Sequence, residues 1–380
     1  MNTGIYIHVP FCAAKCDYCS FYSIPCGSME PSARRGLFDR YFSVLKREIA
    51  DSARYQGLPV DTVYFGGGTP SCVGSAHLGG VIDILRGNFN LLPGAEISVE
   101  CNPGDFSASL AGGLVDIGAN RITLGIQTFS GRLRSVIGRS APPGSPGLLA
   151  GLMSVKGIVH GIDLIAGIPG CTDDELRDEL APVTAMRPEH ISAYMLSVEE
   201  GTPLARRLRL DGAAGEDQRR LFGMAMDILA GAGYRHYEIS NFCLPGFESR
   251  HNMKYWTFQP YIGFGVRAHG FAGGRRFYND QSLEEYLDGP VSREDTRPLS
   301  AAMAEYIMTG LRLIDGFTTG DFEAALEAEV PPAVARCFGE LNKRGMIDIA
   351  GDGSDLRYRL TREGLFLADS VIYTAVESLL

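Results

Sequence analysis

Residues 6–21 read YIHVPFCAAKCDYCSF. An alternating apolar run, GIYIHVP (4–10), gives way directly to Cys12, Cys16 and Cys19, spaced C-x3-C-x2-C. Strand first and thiols immediately after puts sulfur at a strand's carboxyl end, where parallel β/α folds carry their active sites. The whole chain has nine cysteines among 380 residues, an odd number that excludes complete intrachain pairing. Three thiols crowded into one loop mean metal or redox chemistry. Two metals fit on spacing. Zinc would need a closed set of four ligands, with His8 as the fourth. An iron–sulfur cubane normally takes four thiolates, so three would leave one iron open to a second ligand. His8 falls inside the strand pattern and no second CxxC pair appears, which weighs against zinc.

Outward from this loop, strand-like and helix-like runs alternate. DTVYFGGG (61–68), EISVECNP (96–103), RITLGIQTF (121–129), HGIDLIAGIPG (160–170) and HISAYMLSV (190–198) follow the first strand, with amphipathic stretches between them. Six such units predict an α/β fold, a partial (β/α)6 barrel, with an open doubly wound sheet as the alternative. GGGTP (66–70), Glu100, Gln127, Asp163 and Ser197 then fall at the strand ends, facing one mouth. The glycines let backbone approach a ligand, and free N–H groups there would suit a carboxylate or phosphate. After residue 200 a helix near 215–231, a short strand YRHYEIS (234–240) and an aromatic, glycine-rich stretch follow. From about 299 three helices and a hairpin turning on Gly351 to Ser354 outline a small helical, winged-helix-like domain. The expected divisions are a barrel over 1–240, a connecting segment over 241–298 and the C-terminal domain over 299–380.

The charge limits the partners. The chain has 45 acidic and 35 basic residues, and residues 281–380 alone carry 18 against 9. A wing with that field repels a phosphate backbone, so no nucleic acid is expected. Neither a secretory leader nor a membrane span is legible, and the expectation is a cytoplasmic protein, with peripheral membrane contact left open.

The run YIHVPFCAAKCDYCSF resembles the signature of radical S-adenosylmethionine proteins. That resemblance implies a 4Fe–4S cluster on Cys12, Cys16 and Cys19, with S-adenosyl-L-methionine on the open iron. Within that superfamily the chain is similar to the oxygen-independent coproporphyrinogen III oxidase group and its HemW-type haem-chaperone branch. FGGGTPS, SVECNP, RITLGIQTF, IGRS, GIDLIAGIPG and YIGFGVRAHGF carry the likeness along nearly the whole chain. It implies S-adenosylmethionine contacts at Tyr6, Tyr18, Gly67, Gly68, Thr69, Glu100, Gln127, Arg139 and Asp163.

Two departures favour the chaperone branch. Phe21 stands where the oxidase has a further cysteine, and Tyr6 leaves no room for the oxidase's N-terminal extension. HNMKYW (251–256) matches the chaperone signature HNxxYW and contains the single Trp. The resemblance therefore implies haem as bound cargo, delivered to apo-haemoproteins. His251 is the candidate axial ligand, and Arg250 and Lys254 would meet the propionates. Arg267 and Gly270 depart from the family's GxGAHSF run around His269. The alternative function is radical oxidative decarboxylation of coproporphyrinogen propionates to vinyl groups. Whether the chain is itself an enzyme stays open at this level. The remaining cysteines read as buried small residues, Cys26 as a lone loop cysteine, with Cys72, Cys101 and Cys171 expected near the mouth.

Overall fold

The computed structural model describes residues 2–139, 143–208, 212–352 and 355–379. Ser140 of the IGRS run, and Gly353 and Ser354 of the expected hairpin turn, lie outside the described residues. All six expected strands form: β1 (Thr3–Val9), β2 (Pro59–Gly67), β3 (Asn90–Cys101), β4 (Arg121–Gln127), β5 (Val159–Ala166) and β6 (His190–Met195). They lie side by side in chain order, each parallel to the next. A doubly wound sheet would reverse direction partway, so this order selects the partial barrel. β6 ends at Met195, which leaves Ser197 beyond the strand, bonding Glu199 instead of facing the lumen.

The crossovers hold α1 (Pro31–Asp51), α2 (Ser75–Asn88), α3 (Ala108–Asp116), α4 (Gly131–Val136), α5 (Pro146–Met153) and α6 (Asp173–Met186). The period of two gives each strand two unlike faces. Ile5, Ile7 and Val9 of β1, Val63 and Phe65 of β2 and Ile122 and Leu124 of β4 are sealed in one core with the helices' Leu45, Ile82 and Leu85. Their alternates make a polar inner face. By register, Tyr6 sits beside Tyr64, Tyr64 beside Ser98, Gly125 beside Asp163 and Asp163 beside Ser192.

The sheet runs on past both edges of the barrel. Beside β6 come β8 (Asn241–Cys243) and then β7 (Arg235–Glu238), both antiparallel additions. Beside β1 lies β9 (Tyr261–Phe264), parallel to it, followed by β10 (His269–Ala272), β11 (Arg275–Tyr278) and β12 (Arg293–Asp295). Twelve strands thus form one sheet, where the sequence pattern signalled only six and the short β7. Between these lie α7 (Pro203–Arg207), α8 (Gly212–Gly231), α9 (Arg250–Trp256) and α10 (Leu283–Asp288).

The C-terminal part follows the winged-helix outline. It contains α11 (Leu299–Gly310), β13 (Phe317–Thr318), α12 (Thr319–Leu326), α13 (Pro332–Lys343), the hairpin β14 (Ile347–Ala350) and β15 (Arg357–Leu360), then α14 (Arg362–Phe366) and α15 (Ala368–Glu377). Fully buried Phe338 packs on Tyr358 at 4.5 Å, fixing α13 against the hairpin. No helix among the described residues is long and apolar enough to cross a membrane.

Candidate functional site

The cysteine loop leaves β1 and is pinned to the loop after β2 by backbone bonds. Gly68 N–H donates to Val9 O at 2.8 Å and Thr69 N–H to Phe11 O at 2.7 Å. These amides are therefore consumed by the loop itself, which corrects the expectation that they stand free for an anion. Gly67 has φ +106°, and a Cβ there would meet the His8 ring at 2.5 Å, so this position admits only glycine. The glycines let two loops touch, and that contact aims the thiols. Cys12 Sγ lies 3.3 Å from Thr69 Oγ1, and Arg139 Nη1 donates to Cys16 Sγ at 3.6 Å. Burial pushes the Cys12 thiol up to about 11, with Thr69 working against it. Such a thiol waits for a metal cation to deprotonate it.

Arg139 organises the opposite wall. Its Nη1 also donates to Tyr18 OH at 3.0 Å, and its Nη2 to Gly125 O at 2.5 Å. Its Nε is buried with no partner. Gln127 closes β4 with φ +68°, and its amide approaches Gly125 as Arg139 does. Across the lumen Tyr64 donates to Glu100 at 2.6 Å, while Tyr6 stacks on Tyr64 at 6.3 Å and donates to His8 Nδ1. Burial raises Glu100 to about 7, opposed by Tyr64 and increased by Asp163. Burial likewise raises Asp163 to about 6, opposed by its bond to Ser192 and by Arg139.

Two facing acids that resist ionisation, beside an arginine with an orphaned N–H, suit a ligand with both a cation and a carboxylate. The methionyl end of S-adenosylmethionine is such a ligand. The donor chemistry fits a cubane, since three free thiols, two buried and one half-buried, share one loop beside Thr69 and Arg139. Among the described residues no three His, Cys, Asp or Glu side chains are gathered closely enough to hold one metal ion.

The floor lies at the opposite ends of the strands, and α9 fills it. Glu96 takes Arg121 Nε at 3.0 Å and the His251 N–H at 3.1 Å, so one buried carboxylate both pairs and caps the helix. His251 is fully buried. Its Nδ1 bonds Thr62 Oγ1 at 2.8 Å and its Nε2 bonds Tyr255 OH at 2.8 Å. Burial lowers it to about 3. Both ring nitrogens are thus hydrogen-bonded within the protein, each to a hydroxyl. Lys254 is buried as well, on Asp61 at 2.8 Å and Asn2 O, and Arg250 binds the carbonyls of Gly94 and Asp61. Neither is free for a propionate. α9 is a plug, separated from Glu100 by the Tyr64 ring stacked 5.2 Å from His251.

Residues 6–181 match the Radical SAM superfamily model. The haem chaperone HemW of Mycobacterium tuberculosis is 34% identical, aligned over 98% of this chain and 94% of its own length. This chain belongs to the HemW family. HemW of Escherichia coli K12 is also 34% identical, over 84% of this chain and 85% of its own. The solved coproporphyrinogen III oxidase HemN of Escherichia coli superimposes with a TM-score of 0.80 at 20% identity, over 98% of this chain and 90% of that one, a likeness of fold.

In this HemW-family chain Tyr64 and Ser192 hydrogen-bond the candidate residues Glu100 and Asp163, a pairing that the motifs did not show. Strand alternation carried the signal, since Tyr64 shares Glu100's face. Cys26 is not a lone loop cysteine. It donates to Cys12 O at 3.2 Å and lies beside the Cys72 thiol, which itself donates to Phe11 O at 3.4 Å. Cys72 thus touches the cluster loop, Cys101 is buried near Ser71 and Asp105, and Cys171 bonds Thr172 O near Glu175.

Proposed function

We propose that this chain is a haem chaperone that binds haem, a 4Fe–4S cluster and S-adenosylmethionine and delivers haem to apo-haemoproteins in the cytoplasm. The observation that carries the reading is near-full-length identity of 30–34% to haem chaperones of several bacteria, including that of Bacillus subtilis. Nine free cysteines agree with a reducing compartment. Cys12, Cys16 and Cys19 hold the cluster. Tyr6, Tyr18, Gly67, Gly68, Thr69, Glu100, Gln127, Arg139 and Asp163 line the S-adenosylmethionine site. When bound, the pair supplies one-electron reduction chemistry.

The chain's own residues do the rest. Thr69 and Arg139 hold two thiols in position, and Arg139 presents its remaining N–H to a carboxylate. Glu100 and Asp163 release their protons to meet a cation. Tyr6 and Tyr64 close the lumen above α9 and keep water from below. Recipients at a membrane surface are compatible with this reading, the chain acting as a peripheral donor. Phe21, where the oxidase has cysteine, is 68% exposed beside the cluster loop and supports the chaperone over the oxidase.

The test is anaerobic reconstitution followed by two assays on the same preparation. The chain is expected to pass haem to an apo-haemoprotein and to form no protoporphyrinogen from coproporphyrinogen III. Alanine at any one of Cys12, Cys16 or Cys19 is expected to abolish the cluster spectrum. Protoporphyrinogen formation without haem transfer would replace this reading with the oxidase.

A further inference from the structure

A guanidinium sealed from water costs free energy unless its N–H groups find acceptors and its charge finds an anion. Among the described residues two arginines are more than nine-tenths buried, Arg121 and Arg134. Arg121 meets the requirement in full. It pairs with Glu96 and donates to the carbonyls of Phe247 and Glu248. Arg134 does not. It lies in the last turn of α4, 8% exposed, and its Nη1 is buried with no partner. Its side chain makes one hydrogen bond among the described residues, from Nη2 to Arg139 O at 3.3 Å.

The charge is as poorly met as the hydrogen bonds. No carboxylate among the described residues pairs with Arg134, and none is among the groups that act on its charge. Burial works against that charge first and Arg139 second, while the Cys16 thiol and the Tyr18 hydroxyl favour it. An arginine keeps its proton even so. The folded chain therefore holds a fixed cation whose favourable neighbours lie in the cysteine loop.

The position is a built one. Arg134 O accepts the Arg139 N–H at 3.0 Å while Arg134 Nη2 donates back to Arg139 O, so the two residues are tied in both directions. Ser130 caps α4 on the Leu133 N–H, and Leu133 is sealed in the core next to Arg134. Arg139 then reaches Cys16 Sγ at 3.6 Å. One arginine touches the sulfur and has Asp163 in its field, and the other stands behind it with no acid.

An anion at Cys16 would complete this set. A cubane on three thiolates is a net anion, and the electron it accepts adds one further negative charge, so a nearby fixed cation favours the reduced form. We propose that Arg134 is a charge-tuning residue for the cluster, a buried cation without a protein counter-ion that makes the cluster on Cys12, Cys16 and Cys19 easier to reduce. This rests on the cluster reading of those cysteines given above. The step is the passage of one electron from a one-electron donor, which is oxidised, to the cluster, which is reduced. Arg134 makes no bond in it and moves no proton.

The test is a redox titration of the reconstituted full-length chain without S-adenosylmethionine, the reduced cluster being read by electron paramagnetic resonance. Arg134→Gln removes the charge and is expected to shift the equilibrium roughly tenfold towards the oxidised cluster, a potential lower by ~59 mV for one electron. Arg134→Lys keeps the charge and is expected to stay close to the unaltered chain. Loss of the cluster from Arg134→Gln with an unaltered potential in Arg134→Lys also supports the inference, since only the charge then distinguishes them. An equal or higher potential in Arg134→Gln overturns it. An equal shift in both variants, or loss of the cluster from both, overturns it too, since either marks a structural role. If the unaltered chain takes up no 4Fe–4S cluster, the cluster reading falls and this inference with it.

Discussion

At Glu100 a carboxyl group sits against Tyr64 and within the field of Asp163, with its pKa raised by burial to about 7. The cofactor-free folded chain therefore holds a proton that the unfolded chain releases near the ordinary carboxylate value. A raised acid contributes stability that is present at low pH and lost as pH climbs through the folded pKa. The window runs from about 4.5 to about 7, and Asp163 adds a smaller effect from about 4 to about 6. Glu100→Gln keeps an acceptor for Tyr64 and removes the titration. Denaturant unfolding of both cofactor-free proteins at pH 5 and pH 7.5 is expected to show the unaltered chain losing roughly 1–3 kcal/mol of stability relative to Glu100→Gln between the two, a difference that cancels the titrations both proteins share, such as those of buried Glu48 and His8. An equal change in both proteins would mean that Glu100 is ionised throughout.

Among the elements, α9 turns a signature into a structural part. Its N-terminus rests on Glu96, its Lys254 on Asp61, and its His251 on Thr62 and Tyr255. All of these ties lie at the ends of β1, β2 and β3 remote from the cysteine loop. His251→Ala removes two buried hydrogen bonds and a ring stacked on Tyr64. The expected cost is about 2–4 kcal/mol of unfolding free energy, with the reconstituted cluster spectrum unchanged. A variant of unaltered stability would refute the plug.

For the molecule as a whole, the question is where the barrel ends. α11 belongs to both parts. Tyr306 packs on Phe258 at 5.5 Å, Glu305 takes Arg276 and Arg297, and Arg312 lies 4.9 Å from the Trp256 ring centroid. The backbone continues the tie, with Ile239 N–H on Arg312 O and Ile314 N–H on Tyr237 O. We infer a functional boundary after residue 316 rather than at 299. A chain ending at 316 is expected to remain soluble and take up the cluster, whereas one ending at 298 exposes Phe258 and Trp256 and aggregates. Equal behaviour of the two, read by gel filtration and cluster content, would put the boundary elsewhere.

How much of this was legible follows from which interactions are local. The C-x3-C-x2-C loop, the six strand–helix units and the period-two alternation depend on near neighbours, so the sequence by itself determined the barrel and the cluster loop. The sheet extension did not announce itself, because β8 to β12 are runs of only three or four residues and the pairings that join them to the barrel, β8 on β6 and β9 on β1, link segments distant in the chain. The GGGTP amides looked free in sequence and are bonded in space to Val9 and Phe11. The histidine of HNMKYW shows the limit most sharply. Its ring bonds Thr62 and Tyr255, one 189 residues away in the chain. Whether a ring nitrogen is hydrogen-bonded is a property of everything packed around it, and only the tertiary structure decides that.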